Sequence, residues 1–345
     1  MSSPCRCKSQ ILWQEDEGRT IFCGREPGMS FELVKMAIDD FERFGRFEET
    51  LDRIIREAQA ASPPRILYHY TKTAGFSGII SSGKFWATSV YHCTDPTELR
   101  YGLDLVKTVL QEEAQCVDSQ RPFLERINWS LETQKSAFDL YVVCFSESGQ
   151  NNHMWRNYAQ EEYCVGLNPE KLASVCGRPR SSVTIKNLVP VESAWLSDPG
   201  LSLSSVEYCE VKQKQLIRKL VRHAAGFYPE VPHQVGKVSA TLAHFILRCL
   251  CSFKQSCFGP ESEWRVVRWC VGTGPEVLLR KSPRGACIPY VELDVFREQP
   301  DNIRLCLETI RYGASVPDPR NIRVLLARHG YGEQVRVEPS HAIRL

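Results

Sequence analysis

Residues 259–269 read GPESEWRVVRW. Gly259 and Pro260 form a turn, and Trp264-Arg265-Val266-Val267-Arg268-Trp269 alternates as a β-strand does. Between them stand Glu261, Ser262 and Glu263. Side chains two residues apart at the start of a strand project to the same side, so the spacing predicts two carboxylates facing one place. An isolated Glu-x-Glu is ordinarily a pair of solvated charges on an edge strand. Its weight here depends on what other strand ends carry.

The chain has 345 residues, enough for one large domain or two ordinary ones. Its 43% hydrophobic and 24% charged residues are those of a globular protein, and a net charge of +2 gives no global field that selects nucleic acid or membrane. No apolar run reaches bilayer length, and the opening MSSPCRCKSQ lacks the apolar core of a secretory signal. The expected location is the cytoplasm, with no membrane partner. The 15 cysteines are odd in number and scattered, which is not a disulfide framework. Cys5, Cys7 and Cys23 lack the paired spacing of a structural zinc site, so no metal is expected there.

Residues 30–60 carry a helical period: Ser30 is a plausible cap, Phe31, Val34, Ile38 and Phe41 share a face, Gly45 is expected to divide the helix, and Leu51, Ile54, Ile55 and Ala58 continue it. Ala61-Ser62-Pro63-Pro64 then marks a boundary between an N-terminal helical extension (1–64) and an α+β domain (65–345). Ile66–Thr71 reads as a strand, Thr73 as the cap of a brief helix ending at Gly83, and Lys84–Ser89 as a return strand. Asp95, Pro96 and Glu98 fit the N-cap, N1 and N3 positions of a capping box, with direct chemistry as the other reading. Leu140–Phe145 is a continuous apolar run, the mark of a buried central strand, and it ends in Ser146-Glu147-Ser148-Gly149. Those hydroxyls suit either a ligand or an ordinary turn. Trp155 and Tyr158 share a helix face and are either ring-stackers or core. Further strands are expected at 163–167, 277–279, 290–293, 305–311 and 335–337, with helices at 210–225, 236–253 and from Pro319 to Arg328. His223, His233 and His244 have no metal-binding spacing. Phosphate-loop, dinucleotide-fold and nucleophile-elbow motifs are missing. Strands in runs with helical insertions predict an α+β fold built on a mixed or antiparallel sheet.

The ordered set LYHYT (67–71), GKFWATS (83–89), TDPTE (94–98), VVCFSES (142–148), MWRNYA (154–159), CVGL (164–167), ESEWRVV (261–267) and VRVEPS (335–340) resembles a bacterial domain-of-unknown-function family found near abortive-infection and phage-defence genes. The resemblance runs from residue 65 to the C-terminus. A looser resemblance, to ADP-ribosyltransferases, supplies chemistry. That family carries an aromatic-flanked His or Arg on an early strand, a Ser or Tyr ending a second, and a Glu, often in Glu-x-Glu, opening a later one. Here His69, Ser146 and the Glu261/Glu263 pair follow in that order. Two departures stand out: Ser-Glu-Ser replaces Ser-Thr-Ser, and the insert between the first two elements is long.

The resemblance implies an ADP-ribosyltransferase-like fold with NAD as substrate. Breaking the nicotinamide–ribose bond develops positive charge on the ribose, which a nearby carboxylate stabilises. Glu263 would take that role and Ser146 would orient it. Glu261 would orient the acceptor nucleophile, which is a protein side chain, a nucleic-acid base, a small molecule or water. His69 would hold the distal ribose or pyrophosphate, with Tyr70 and Thr71 beside it on the cofactor side. Tyr70, Trp155 or Tyr158 would sandwich the nicotinamide. Such a protein would be a defence or toxin-type effector modifying a macromolecule. Two other readings remain: a nuclease in which Asp95, Glu98, Glu261 and Glu263 hold Mg²⁺, against which no Glu-x-Lys follows, and a non-catalytic sensor or binding module of a defence system.

Overall fold

The computed structural model describes residues 12–16, 19–23, 31–93, 95, 97–176, 201–271, 277–281, 285–294 and 306–341. Cys5 and Cys7 lie outside them. The chain divides into two compact units, residues 1–50 and 51–345. The first holds an antiparallel hairpin, β1 (Leu12–Asp16) and β2 (Arg19–Cys23), which the sequence reading did not foresee. It also holds most of α1 (Phe31–Ala58), whose last turns belong to the second unit. Gly45 does not divide α1: a helical glycine costs only about 1 kcal/mol against alanine, less than an amphipathic face supplies.

Among the described residues of the second unit, ten strands form one mixed sheet. They are β3 (Leu67–Thr71), β4 (Lys84–Ser89), β5 (Phe138–Ser146), β6 (Tyr163–Leu167), β7 (Leu201–Ser205), β8 (Glu263–Val271), β9 (Val277–Lys281), β10 (Cys287–Asp294), β11 (Leu307–Tyr312) and β12 (Arg336–Pro339). Neighbours run antiparallel except the parallel pair β11–β12. The expected α+β class, a mixed sheet with helical insertions, is therefore what the chain builds.

β5 is the spine. One side pairs with β8 along its whole length, from Phe138↔Val271 to Ser146↔Glu263. On the other side β4 takes the beginning (Ser89↔Tyr141, Thr88↔Val142) and β3 only the end (Tyr68↔Ser146). The sheet thus forks at β5. One arm continues β3–β6–β11–β12, the other β4–β10–β9, and β7 flanks β8.

The helices are α2 (Thr73–Ser82), α3 (Glu98–Cys116), α4 (Arg121–Ala137), α5 (Pro169–Cys176), α6 (Glu210–Phe227), α7 (Val235–Leu250) and α8 (Arg320–Arg328). Period-two alternation explains the two faces of β5. Tyr141, Val143 and Phe145 join Leu67, Phe85, Trp264 and Val266 in one core, covered by Phe76, Ile79 and Ile80 of α2 and by Ile322 and Leu326 of α8. Each such side chain contributes about 1.5–3 kcal/mol on burial. A second cluster sets Met154, Trp155 and Ala159 against Ile66, Tyr68, Tyr70 and Cys164.

Local chemistry sets the helix ends. Gly83 closes α2 in the left-handed conformation (φ 70°), its N–H donating to the Ile79 carbonyl at 2.9 Å. Thr73 begins that helix instead of capping it, because its N–H and hydroxyl both donate to the Glu162 carboxylate. The capping box at 95–98 is not formed. Asp95 Oδ1 accepts from the Thr97 N–H (2.8 Å) and hydroxyl (2.6 Å), so it closes a turn of its own. Glu98 is then the first residue of α3, and its carboxylate is directed elsewhere. Among the described residues no helix is long and apolar enough to cross a membrane.

Candidate functional site

Glu261 ends a short helical turn, Ser256–Glu261, and Glu263 begins β8. Ser262 between them is left-handed, at φ 45°. This reversal brings both carboxylates to one ammonium, as their spacing predicts: Lys254 Nζ donates to Glu261 Oε2 and, at 3.2 Å, to Glu263 Oε2. Glu98 Oε1 lies 3.0 Å from the same nitrogen. Arg265 completes the cluster. It holds Glu263 through Nε (3.0 Å) and NH2 (2.8 Å), Glu98 through NH2 (2.8 Å) and the Cys251 carbonyl through NH1 (2.8 Å). Three carboxylates face two cations, one negative charge in excess, and Lys254, Glu261, Glu263 and Arg265 are each no more than 4% exposed.

The network approaches solvent through His153, beside Glu261 Oε1. The Tyr158 hydroxyl donates to that oxygen at 2.9 Å, and His153 Nε2 lies 3.5 Å away with its side chain 45% exposed. Underneath, the Glu263 N–H donates to the Tyr208 hydroxyl (2.9 Å), and Phe258 lies under the Lys254 ammonium, 4.8 Å from ring centre to nitrogen.

Burial by itself would raise the Glu263 pKa, but Arg265 and Lys254 overcome it and hold the carboxyl down to about 2. Lys254 and Arg265 are likewise held charged against burial, Glu263 being the largest opposing influence on each. Burial and the Glu261 charge push the Tyr158 phenol up. Glu263, Lys254 and Arg265 are therefore all charged throughout the neutral range.

Several expected roles do not fit these positions. Ser146 pairs with Glu263 in the ladder, yet its hydroxyl donates to the Glu261 backbone carbonyl (2.7 Å) and so steadies the turn; it does not orient the Glu263 carboxylate. His69 turns its ring edge-on to Phe85 (5.2 Å) and Phe145 (5.8 Å), on the core side of the sheet. Its Nδ1 lies 2.8 Å from the Cys144 carbonyl, in the fork that β3 and β4 leave open along β5. Glu263 lies on the other side, beside the Cys144 thiol. His69 and Glu263 thus approach Cys144 from opposite faces and do not share a pocket. Burial lowers the His69 pKa and keeps the ring neutral.

Trp155 is fully buried, donates Nε1–H to the Gly149 carbonyl (3.1 Å) and packs edge-on to Tyr70 (5.4 Å). No face of it is free to stack on a nicotinamide. Tyr70 donates to the Ser148 carbonyl (2.6 Å) and accepts from the Asn151 N–H (3.1 Å), while Asn151 Nδ2 donates to the Pro260 carbonyl (2.6 Å). It buttresses the turn ahead of Glu261. Thr71, half-buried opposite Tyr163 at the end of β3, lies outside the cluster, as does Asp95.

Glu261, Glu263 and Tyr158 are therefore brought together; His69, Thr71 and Trp155 are not. Sequence reasoning missed Lys254, Arg265, His153 and Tyr208, and it grouped Glu98 with Glu261 and Glu263 only as a Mg²⁺ ligand. Arg265 was legible, two residues from Glu263 on an alternating strand. Lys254, in the loop after α7, and Glu98, at the start of α3, had no signal of that kind. The carboxylate oxygens proposed for Mg²⁺ are engaged by Lys254 and Arg265, and Asp95 closes its own turn, so the nuclease reading loses its ligand set. The chain matches no protein-family model, no curated protein and no solved structure.

Proposed function

We propose that this chain is an ADP-ribosyltransferase-like protein that acts on NAD at the Glu261–Glu263 end of β8, in the cytoplasm, as a defence-type effector modifying a macromolecule. The observation that carries this reading is the alignment of Tyr68, Ser146 and Glu263 across the adjacent strands β3, β5 and β8. These strands are the ones that carry the three elements of the resemblance, although its first residue, His69, faces the opposite side of the sheet from Ser146 and Glu263. The nicotinamide–ribose bond breaks with its electron pair leaving on nicotinamide, and the acceptor bonds to the anomeric carbon and loses a proton. Glu263, ionised at any neutral pH, opposes the positive charge that develops. Glu261, buried but in contact with Tyr158 and beside the half-exposed His153, orients the acceptor. To reach Glu263, a ribose hydroxyl takes the place of Lys254 on Oε2. Tyr158 is the aromatic placed to border the substrate, and His69 supports the fork.

The complete pairing of Glu263 favours a second reading, a non-catalytic binding module in which the cluster is structural. Nicotinamide release from NAD by the purified protein, with and without cell lysate, separates the two. Release that falls by ~10²–10³ in Glu263→Gln, with the fold intact, supports the transferase. The absence of both release and calorimetric NAD binding overturns it in favour of the module.

A further inference from the structure

The β4–β10–β9 arm carries a feature that the carboxylate cluster does not use. Its register places Trp86, Thr88, Tyr290, Leu278 and Arg280 on one face of the sheet. Thr88 pairs with Val142, so this face continues onto the side of β5 that carries Cys144 and the carboxylate cluster. Trp86 is 45% exposed and rests on Tyr290, ring centres 4.8 Å apart. The Arg280 guanidinium lies 6.0 Å from the centre of the Trp86 ring, and its NH2 donates to Thr88 Oγ1 at 2.8 Å.

Arg280 forms no ion pair among the described residues. Burial lowers its pKa, and the groups that oppose this are Tyr290 and Cys93, not a carboxylate. Its Nε is buried and has no hydrogen-bond partner among the described residues. The nearby acid, Glu292, is neutralised by Lys84. A half-withdrawn cation with no counter-charge is costly, and an exposed indole beside it is a second uncovered surface. One ligand chemistry answers both: a flat ring to lie on the indole and an anionic oxygen to meet the guanidinium.

We propose that Trp86 and Arg280 form a nucleotide-binding platform, with the base stacked on the Trp86 ring and the phosphate on Arg280. The inference rests on this arm alone and stands whether or not the transferase reading does. The ligand is either a free nucleotide or one unit of a single strand; an acidic peptide would need Arg280 and leave Trp86 without a role.

The test is binding of a labelled single-stranded oligothymidylate by fluorescence anisotropy and of ADP by calorimetry, in the full chain. Trp86→Leu is expected to weaken binding about tenfold, the share of one stacked base. Trp86→Phe keeps a ring and keeps most of the affinity. Arg280→Gln weakens binding comparably and, with the strand, reduces the slope of log affinity against log salt by about 0.7. ADP binding with the same variant pattern identifies the free nucleotide as ligand; binding of the strand without ADP identifies the polymer. The proposal is overturned if neither probe binds at millimolar concentration, or if the leucine and phenylalanine variants bind alike. Trp86 is exposed, so circular dichroism and melting of its variants should match the parent protein.

Discussion

Arg265 closes a two-point ion pair on Glu263, its neighbour two residues back on the same strand, at 3.0 and 2.8 Å. The strand period puts both on one face, and the planar guanidinium matches the two carboxylate oxygens. The same NH2 reaches Glu98 at the start of α3, and NH1 reaches the Cys251 carbonyl just beyond α7. One side chain therefore ties β8 to two helices.

Removing that side chain leaves buried carboxylates with only Lys254 to balance them. Arg265→Met is expected to cost about 3–5 kcal/mol in urea unfolding. The double variant Glu263→Gln/Arg265→Met should lose clearly less than the sum of the two single variants. Strict additivity would show that the pair is not coupled.

Acid should loosen the cluster in a defined window. Glu263 has a folded pKa of about 2 against an ordinary 4.5, so it binds its proton less readily folded than unfolded. Its stabilising contribution is present above about 4.5 and is lost as pH falls towards 2. Unfolding free energy measured from pH 5 to pH 2.5 should fall less steeply in Glu263→Gln than in the parent. Equal slopes would contradict the ionised assignment.

His244 adds a second, higher window. It is buried in α7, where burial and then the Arg248 charge lower its pKa to about 3 from 6.5. The unfolded chain takes up the proton first, so stability declines as pH drops below about 6.5, and the loss is complete near 3. His244→Phe should flatten the stability profile between pH 7 and pH 5, where Glu263 does not titrate. If the slope there is unchanged, another group is responsible.

Two glycines should respond in opposite directions. A Cβ on Gly313 would stand 2.2 Å from the backbone oxygen of Glu161, so Gly313→Ala must move main chain and should cost about 1–3 kcal/mol. A Cβ on Gly78, within α2, meets nothing within 4 Å, so Gly78→Ala should gain about 0.5–1 kcal/mol. Thermal melting of the two variants checks both signs.

The sequence made the spine legible, because the apolar run around Val142 and Val143 reads as a strand buried on both faces. It also made legible the convergence of Glu261 and Glu263, although a left-handed Ser262, not simple alternation, achieves it. Glu98 was misread because a local pattern, Asp-Pro-Thr-Glu, outweighed a distant partner that no spacing announces. His69 could have been read better. In LYHYT, Leu67 marks the core face, and alternation puts His69 with it and away from Tyr68 and Tyr70. The fork at β5 was invisible, since strand order depends on long-range pairing.

That fork has a consequence for how the molecule breathes. β3 and β4 each lean on β5 and share no ladder with one another. The hydrogen-bond ladders therefore divide into two leaves joined through β5, above one shared apolar core. Either leaf can detach without disturbing the hydrogen bonds of the other, and amide exchange should separate into an early set on β9, β10 and β4, another on β12, β11 and β6, and a slowest set on β5 and β8, which opens only when the whole domain unfolds.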